Sequence, residues 1–219
     1  MEFTPCRKVV RRKGNIKRVG YFPSMRLNRL VEFESLLECD YIHLLEFDKC
    51  GVVSFCEQPV EIEYIENGKT KHYYPDFAVE LPEDKIEIVE IKPSRKLNDP
   101  KLYPKILAAQ NYCESMGYEY LMVTEKQFDP VTLRNIKILF SYRNINVTAS
   151  QKLLIRQTIG VKETVNVHTL AERISLQIGS YQDALVIIYS LLYHQYLSFD
   201  ISQPLSSESI IRLPSKEVL

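Results

Sequence analysis

The order of strand-like and helical patterns is the feature of this chain that most limits its fold. Ile86 to Ile91 interleaves β-branched apolar residues with two acids, Glu87 and Glu90, and predicts a β-strand that ends before Pro93. Asn67-Gly68 separates two short alternating runs, which predicts a hairpin. Helical spacing follows over about Tyr103–Met116, and the short apolar run Tyr120–Val123 predicts a buried strand. Strands interleaved with helices predict a mixed α/β sheet with helices on its faces.

Two further helices are predicted on either side of this region. From Leu30 to Phe47 the apolar residues recur every three or four positions, as in an amphipathic helix. Residues 1–24 are basic and show no periodicity, so we interpret them as an arm. Asp129-Pro130 predicts a helix start, with Asp at the N-cap, and this helix extends to about Tyr142.

The pattern changes to helices alone from about Val147. Helical spacing recurs in three segments, and two short apolar runs follow them. The helices are Ser150–Ile159, Val167–Gln177 and Tyr181–Tyr196, and the runs are Leu197–Ile201 and Ile210–Leu213. Three helices and a two-stranded wing predict a small winged-helix domain. We therefore expect a sheet domain over residues 1–145 and a winged-helix domain over residues 146–219.

Charge is segregated along the chain although the formal net charge is zero. Residues 1–30 contain nine basic residues and one acid, whereas residues 31–91 contain sixteen acids and four bases. This distribution indicates a basic arm that contacts phosphates beside an acidic region that needs cations. The residues expected to contact DNA are Arg11, Arg12, Lys13, Lys17 and Arg18.

Other classes of protein are disfavoured by the sequence. The five cysteines include no CxxC pair and the four histidines lie far apart, so a structural zinc site is not expected. The longest apolar run, Ala184 to Tyr193, is too short to span a bilayer. With no secretory signal, we expect a soluble cytoplasmic protein with free thiols and no membrane contact.

One group of residues has the spacing of a catalytic site. Asp76 begins one strand, and Glu90-Ile91-Lys92 closes the next. Glu90 and Lys92 are two apart on a strand and therefore share a face, which Asp76 joins from the paired strand. Two converging carboxylates suit Mg²⁺, for which Mn²⁺ would substitute, and a nearby lysine suits phosphodiester hydrolysis. The same pattern alone is also typical of a solvated sheet face with an ordinary Glu–Lys pair.

Glu38 adds a third carboxylate from the first helix. It lies beside the apolar stripe and four residues from Glu34, and a metal ion would relieve both the burial and the repulsion. Alternatively, Glu38 is a boundary residue that reaches water. The order helix-Glu, strand-Asp, strand-Glu-x-Lys indicates a restriction-endonuclease-like core of the PD-(D/E)xK type. In that core Asp76, Glu90 and the Ile91 carbonyl would ligate metal, Glu38 would bind a second metal or its water, and Lys92 would position the nucleophile.

Five segments together resemble a known family. They are Glu34-Ser-Leu-Leu-Glu38, Leu44-Leu-Glu-Phe47, Val53-Ser-Phe-Cys-Glu-Gln-Pro59, Tyr74-Pro-Asp-Phe77 and Val89-Glu-Ile-Lys-Pro93. In this order and spacing they are similar to the TnsA endonuclease subunit of heteromeric cut-and-paste transposases. The resemblance implies that Glu38, Asp76, Glu90 and Lys92 carry catalysis. It also implies cutting of one strand at each transposon end, a DDE-type transposase that cuts the other strand, and an AAA+ ATPase regulator that contacts the C-terminal domain.

Two alternatives remain open at this stage. One is a stand-alone restriction or repair nuclease, or a resolvase, on the same fold, which would cut plain DNA without partners. The other is a non-enzymatic winged-helix DNA-binding protein that reads DNA with its C-terminal helices. Clustered acids repel phosphate and disfavour the second alternative. The third C-terminal helix contains Asp183, four tyrosines and no lysine or arginine, which favours a protein partner for the C-terminal domain.

Overall fold

A computed structural model describes residues 3–7, 19–48, 51–160 and 163–214. These residues form two compact units, Met1–Phe128 and Asp129–Leu219. The residues expected to contact DNA, namely Arg11, Arg12, Lys13, Lys17 and Arg18, lie outside the described residues. Over the described ranges, no helix has both the length and the apolar character needed to cross a membrane.

The first unit combines short strands with two longer helices. In chain order its elements are β1 (Gly20–Ser24), β2 (Arg29–Phe33), α1 (Leu36–Phe47), β3 (Ser54–Glu57), β4 (Ile62–Glu66), β5 (Lys69–Tyr73), β6 (Phe77–Glu80), β7 (Ile86–Ile91), α2 (Tyr103–Met116) and β8 (Glu119–Val123). The helix predicted over Tyr103–Met116 has these same bounds in the structure. Gly117 ends it in a left-handed conformation that glycine adopts without strain.

A four-stranded sheet in the order β3-β6-β7-β8 forms the centre of the first unit. β6 pairs antiparallel with both β3 and β7, whereas β7 and β8 are parallel. The register places Phe77 of β6 opposite Val89 of β7. Asp76 therefore comes immediately before β6, close to the point where β7 ends at Ile91.

The two faces of this sheet are covered by different helices. Phe77 meets Tyr41 of α1, with ring centroids 5.6 Å apart. The next residue, Ala78, points to the opposite face and packs in a buried cluster with Ile88 and with Cys113 of α2. The mixed sheet flanked by helices that was expected from the sequence is confirmed for this unit.

The predicted β4–β5 hairpin is confirmed, whereas the predicted start of the first helix at Leu30 is wrong. Asn67 and Gly68 both have positive φ, as the tight turn between β4 and β5 requires. In contrast, α1 begins only after Ser35, and residues 29–33 form β2, which pairs with β1 from the expected arm. The reason lies in side-chain burial: Leu30 is exposed and Val31 is buried, so this stretch alternates as a strand does.

Within residues 129–160 and 163–214, the second unit contains four helices and a small sheet. Its elements are α3 (Pro130–Phe140), α4 (Ala149–Ile159), β9 (Thr164–Asn166), α5 (Val167–Ile178), α6 (Tyr181–Tyr193), β10 (Ser198–Phe199) and β11 (Ile210–Arg212). The sheet order is β10-β11-β9, so β9 adds a third strand to the two that were expected. Leu170, Ile174, Ile188 and Leu191 are fully buried in its helical part.

α3 packs with the second unit, although the sequence placed it in the first domain. Its buried Asn135 donates hydrogen bonds to the carbonyls of Ile201 and Gln203, at 2.8 and 2.7 Å. The Asn135 carbonyl oxygen accepts from the backbone N–H of Leu205, at 3.0 Å. One buried amide thus satisfies three backbone groups in the segment between β10 and β11, which ties that segment to α3.

Candidate active site

The end of β7 is held in place by its parallel neighbour. The backbone N–H of Lys92 donates to the carbonyl of Val123, at 3.0 Å, and continues the β7–β8 ladder by one residue. Ile88, Val89 and Ile91 are buried, and so is the side chain of Glu90. Glu90 and Lys92 therefore project from a rigid, well-packed strand end.

Asp76 is fixed by hydrogen bonds to its neighbours in the sheet. Its carboxylate oxygen Oδ2 accepts from the backbone N–H of Ile91, at 2.7 Å. Its backbone carbonyl accepts from the N–H of Gln58, at 2.9 Å. These contacts aim the Asp76 carboxylate at the end of β7, where Glu90 and Lys92 lie.

The Lys92 ammonium lies among three oxygens. Its Nζ is 3.7 Å from Asp76 Oδ2, forms an ion pair with Glu90 Oε1, and donates to the Ile91 carbonyl at 3.2 Å. Asp76, Glu90 and the Ile91 carbonyl are the groups that were expected to hold a metal ion. All three therefore face one point, and the Lys92 ammonium occupies that point.

Electrostatics show that this point carries an excess of negative charge. The pKa of the Asp76 carboxyl is raised well above its usual range, first by burial and then by repulsion from Glu90. Burial lowers the pKa of Lys92, but the charges of Asp76 and Glu90 outweigh burial and raise it overall. Because a single ammonium faces several carboxylates, an added cation would be bound favourably.

The donor set fits a hard divalent cation. Two carboxylates and one backbone carbonyl are the oxygen ligands that Mg²⁺ and Mn²⁺ accept, and such ions usually retain water on their other positions. Among the described residues, no group of three or more His, Cys, Asp or Glu side chains is arranged to hold a metal ion. The groups at this point that could hold such an ion are Asp76, Glu90 and the carbonyl of Ile91.

Tyr73 contributes a contact that the sequence interpretation missed. Its hydroxyl donates to Glu90 Oε2, at 2.5 Å. Burial, followed by the charge of Glu90, raises the pKa of Tyr73, so the hydroxyl keeps its proton and remains a donor. In the structure, Tyr73 is the one buried residue of β5, whose other residues are exposed.

Glu38 is buried in the first turn of α1 and both of its carboxylate oxygens are occupied. Oε1 accepts from the hydroxyl of Ser35, at 2.8 Å, and Oε2 accepts from the N–H of Glu34, at 2.7 Å. In return the Glu38 N–H donates to Ser35 Oγ, at 3.2 Å, so Ser35 is the N-cap of α1. Burial raises the pKa of Glu38, and Lys92 is close enough to oppose that change. The structure thus brings Glu38 near the site but gives it hydrogen-bond partners of its own.

Gln58 is hydrogen-bonded to Asp76 through its backbone N–H, but its side chain belongs to a separate polar cluster. Its side-chain carbonyl accepts from Arg7 Nε, at 2.6 Å, and its amide nitrogen donates to Glu34 Oε1, at 3.4 Å. Arg7 also forms an ion pair with Glu34, at 2.7 Å. The backbone of Gln58 has a positive φ of 45°. The side-chain amide of Gln58 thus pairs with Arg7 and Glu34.

Comparison with known families identifies part of the chain. Residues 51–125 match the model of the TnsA-like endonuclease N-terminal domain. This match supports the TnsA-like identification and a nuclease role in a Tn7-like transposase, a family that in general acts on DNA with a transposase partner. The matched segment includes Asp76, Glu90 and Lys92, whereas Glu38 precedes it. No curated protein matches the chain.

Proposed function

We propose, on the premise that residues 51–125 form a TnsA-like endonuclease domain, that this chain is a Mg²⁺-dependent DNA endonuclease subunit of a cut-and-paste transposase. It would hydrolyse one strand at each transposon end. The observation that carries this proposal is the convergence of Asp76, Glu90 and the Ile91 carbonyl on the Lys92 ammonium. A Glu–Lys pair on a solvated sheet face would not bury Glu90, and it would not raise the pKa of a second carboxyl beside it.

Each residue of the site has a distinct role in this proposal. A bound divalent cation supplies Lewis acidity and lowers the pKa of water. Asp76, Glu90 and the Ile91 carbonyl would hold that cation, with Mn²⁺ able to replace Mg²⁺. Tyr73 keeps one oxygen of Glu90 occupied and so directs the other toward the shared point. Lys92 would orient the attacking water and offset the charge that develops on the phosphate.

Glu38 would assist by binding a second cation or its water. For this role one of its oxygens must give up a hydrogen bond to Ser35 or Glu34. The raised pKa of Glu38 supports the idea, because a buried carboxylate gains from a nearby cation. The low cost of releasing a hydroxyl donor makes Oε1, which accepts from Ser35, the better candidate.

The second unit is proposed to be a winged-helix domain that docks a protein partner, either the AAA+ ATPase or the DDE-type transposase. Its order of α4, β9, α5, α6, β10 and β11 is typical of that fold. The sheet order β10-β11-β9 supports the same interpretation. Asn135 holds the segment that would form the wing.

Strand choice tests the proposed function directly. We expect Asp76→Ala, assayed with the DDE-type transposase, the ATPase regulator and a DNA that carries transposon ends, to lose the cut on one strand at each end. The other strand should still be cut, so the products stay joined to donor DNA. Cleavage of the affected strand in the wild-type reaction should stop in EDTA and return with Mg²⁺ or Mn²⁺.

The matched control is Glu114→Ala, which removes an exposed acid from α2 and should leave both cuts intact. Loss of both cuts in a folded Asp76→Ala protein would contradict the proposal, as would cleavage that persists in EDTA. Strong cutting of plain DNA by the purified chain alone would instead favour a stand-alone nuclease.

A further inference from the structure

The segment that links β7 to the first turn of α2 is strongly cationic. Residues 94–105, called the basic segment below, contain Arg95, Lys96, Lys101 and Lys105 and a single acid, Asp99. Arg95, Lys96 and Lys101 are exposed, and Lys105 is half-buried. This contrasts with residues 31–91 just before it, where acids outnumber bases by sixteen to four.

These four cations form no ion pairs within the described residues. Several other cations of the first unit are paired with acids: Arg7 with Glu34, Arg29 with Glu57, Lys71 with Glu66, Lys85 with Glu83, and Lys92 with Asp76 and Glu90. Asp99 caps the turn that follows it, because its carboxylate accepts from the backbone N–H of Lys101, at 3.0 Å; its single negative charge leaves the segment with a net charge of +3. The basic segment thus presents positive charge that forms no ion pair with a described acid.

Both ends of the basic segment lie at the candidate active site. At one end, Arg95 follows Lys92 by three residues, and the intervening Ser94 is held by Glu125, whose carboxylate accepts from its backbone N–H at 2.8 Å. At the other end, Lys105 Nζ lies 5.9 Å from the centroid of the Tyr73 ring. Tyr73 donates to Glu90. The two ends of the basic segment therefore lie near the candidate site, one through its sequence proximity to Lys92 and the other through Tyr73.

The backbone of the basic segment is ordered by its own turns. Two 3₁₀ turns, Ser94–Lys96 and Pro100–Leu102, occupy half of it. Leu102 is buried and anchors the second turn. A surface that is already ordered loses little conformational entropy when a ligand binds, which suits the recognition of a regular, charged polymer.

We propose that Arg95, Lys96, Lys101 and Lys105 bind backbone phosphates of duplex DNA and hold the duplex at the Asp76–Glu90–Lys92 site. This inference rests on the proposed function and names the surface by which the substrate reaches the site. The acids around the site repel DNA, so an attraction must come from nearby cations. The basic segment supplies this attraction, because it follows directly after the end of β7 that carries Lys92.

The test compares two full-length variants in binding to a short DNA duplex, without divalent ions, over a series of salt concentrations. The first variant is Arg95→Gln, Lys96→Gln, Lys101→Gln and Lys105→Gln. The matched control removes four exposed cations elsewhere: Lys69→Gln, Lys126→Gln, Arg156→Gln and Arg173→Gln. Each phosphate that the protein no longer neutralises should reduce the slope of log K against log salt by about 0.9, so the first variant should have a slope smaller by about 3 to 4.

The control should change that slope by clearly less than the first variant does. Equal reductions in the two variants, or an unchanged slope in the first, would overturn the inference. Reduced binding to single-stranded RNA with unchanged duplex binding would point to another occupant and overturn it as well.

The two proposals fail in different ways. An unchanged slope in a chain whose cleavage still depends on Asp76 overturns the DNA surface alone. The expected reduction of slope, in a chain whose cleavage with partners does not depend on Asp76, overturns the proposed catalytic function alone.

Discussion

Lys92 and a divalent cation would compete for the same oxygens. The ammonium contacts Asp76, Glu90 and the Ile91 carbonyl, which are also the proposed ligands. A positive charge from the protein keeps the two carboxylates together when no other cation is bound, which limits their repulsion. It also means that binding of an ion must displace the ammonium from at least part of this position.

Removing the ammonium should therefore strengthen ion binding while it abolishes cleavage. We expect Lys92→Met, which keeps most of the side-chain length, to bind Mn²⁺ about tenfold more tightly, equivalent to about 1.4 kcal/mol. The measurement is calorimetric titration of Mn²⁺ into the protein without DNA.

Lys85→Met serves as the control for this titration, because Lys85 lies away from the carboxylates and pairs with Glu83 on the surface. Equal or weaker Mn²⁺ binding by folded Lys92→Met would show that the ammonium does not occupy the ion's position.

Among the secondary-structure elements, α1 combines a capping role with the proposed catalytic role of Glu38. The cap and the charge can be separated by mutation, because the cap is the Ser35 hydroxyl and a glutamine at position 38 can still accept from the backbone N–H of Glu34. We expect Ser35→Ala to cost about 0.5–2 kcal/mol of stability, measured by urea unfolding. Glu38→Gln should unfold close to the wild type but cut its strand much more slowly in the presence of the partner proteins.

Either of two outcomes would contradict the catalytic role of Glu38. If Glu38→Gln cuts at the wild-type rate, the carboxylate serves only to begin α1. If instead Glu38→Gln is as unstable as Ser35→Ala and the two variants cut equally slowly, slower cutting has a structural cause.

Local sequence patterns predicted the elements that neighbouring residues determine, and failed where contacts between distant residues determine the element. Asn67-Gly68 required a tight turn and Gly117 a helix end, and both are present. The β1–β2 hairpin was missed because the apolar residues around Leu30 also fit helical spacing. β9 was missed because three residues carry too little periodicity, and its pairing with β11 depends on residues more than forty positions away.

The candidate site shows the same division. The spacing of Asp76, Glu90 and Lys92 was sufficient to predict that they meet, since alternation along a strand and pairing with its neighbour fix their direction. The contact of Tyr73 with Glu90 depends on where the β4–β5 hairpin packs. Alternation within β5 does not reveal that position, so the hydroxyl could not be assigned to the site from the sequence.

At the scale of the whole molecule, the N-terminal arm is expected to add to DNA attraction. Arg11, Arg12, Lys13, Lys17 and Arg18 lie outside the described residues, so the expectation rests on their charge alone. Replacing all five with Ala should weaken duplex binding and reduce the salt slope by about 0.9 for each phosphate that the arm neutralises in the wild type. A slope equal to that of the wild type would show that the arm makes no phosphate contacts.

We expect the second unit to bind protein and not DNA, and the structure changes which of its residues we expect to make the contact. Tyr193 of α6 is buried, and Tyr189 packs edge-on against Tyr142, so the expected tyrosine surface is partly internal. The exposed positions of α6 include Gln182 and Asp183 and no cation, which is unsuited to phosphate contact. An apolar contact is offered instead by Leu176 of α5, which is 93% exposed.

We therefore expect Leu176→Asp in the full-length chain to lose capture of the purified ATPase or transposase while its affinity for duplex DNA stays within about twofold. A twofold change corresponds to about 0.4 kcal/mol. This is less than the loss expected if α5 bound in a DNA groove, and it allows for the effect of one added charge. Leu153→Asp, at an exposed position on α4, is the control for a general effect of placing an acid on this unit.

Retained capture of both partners by Leu176→Asp would exclude this part of α5 from the interface. A large loss of DNA affinity in that variant alone would show that the second unit reads DNA after all, because α5 would then lie against the duplex, where a new carboxylate is repelled by phosphate.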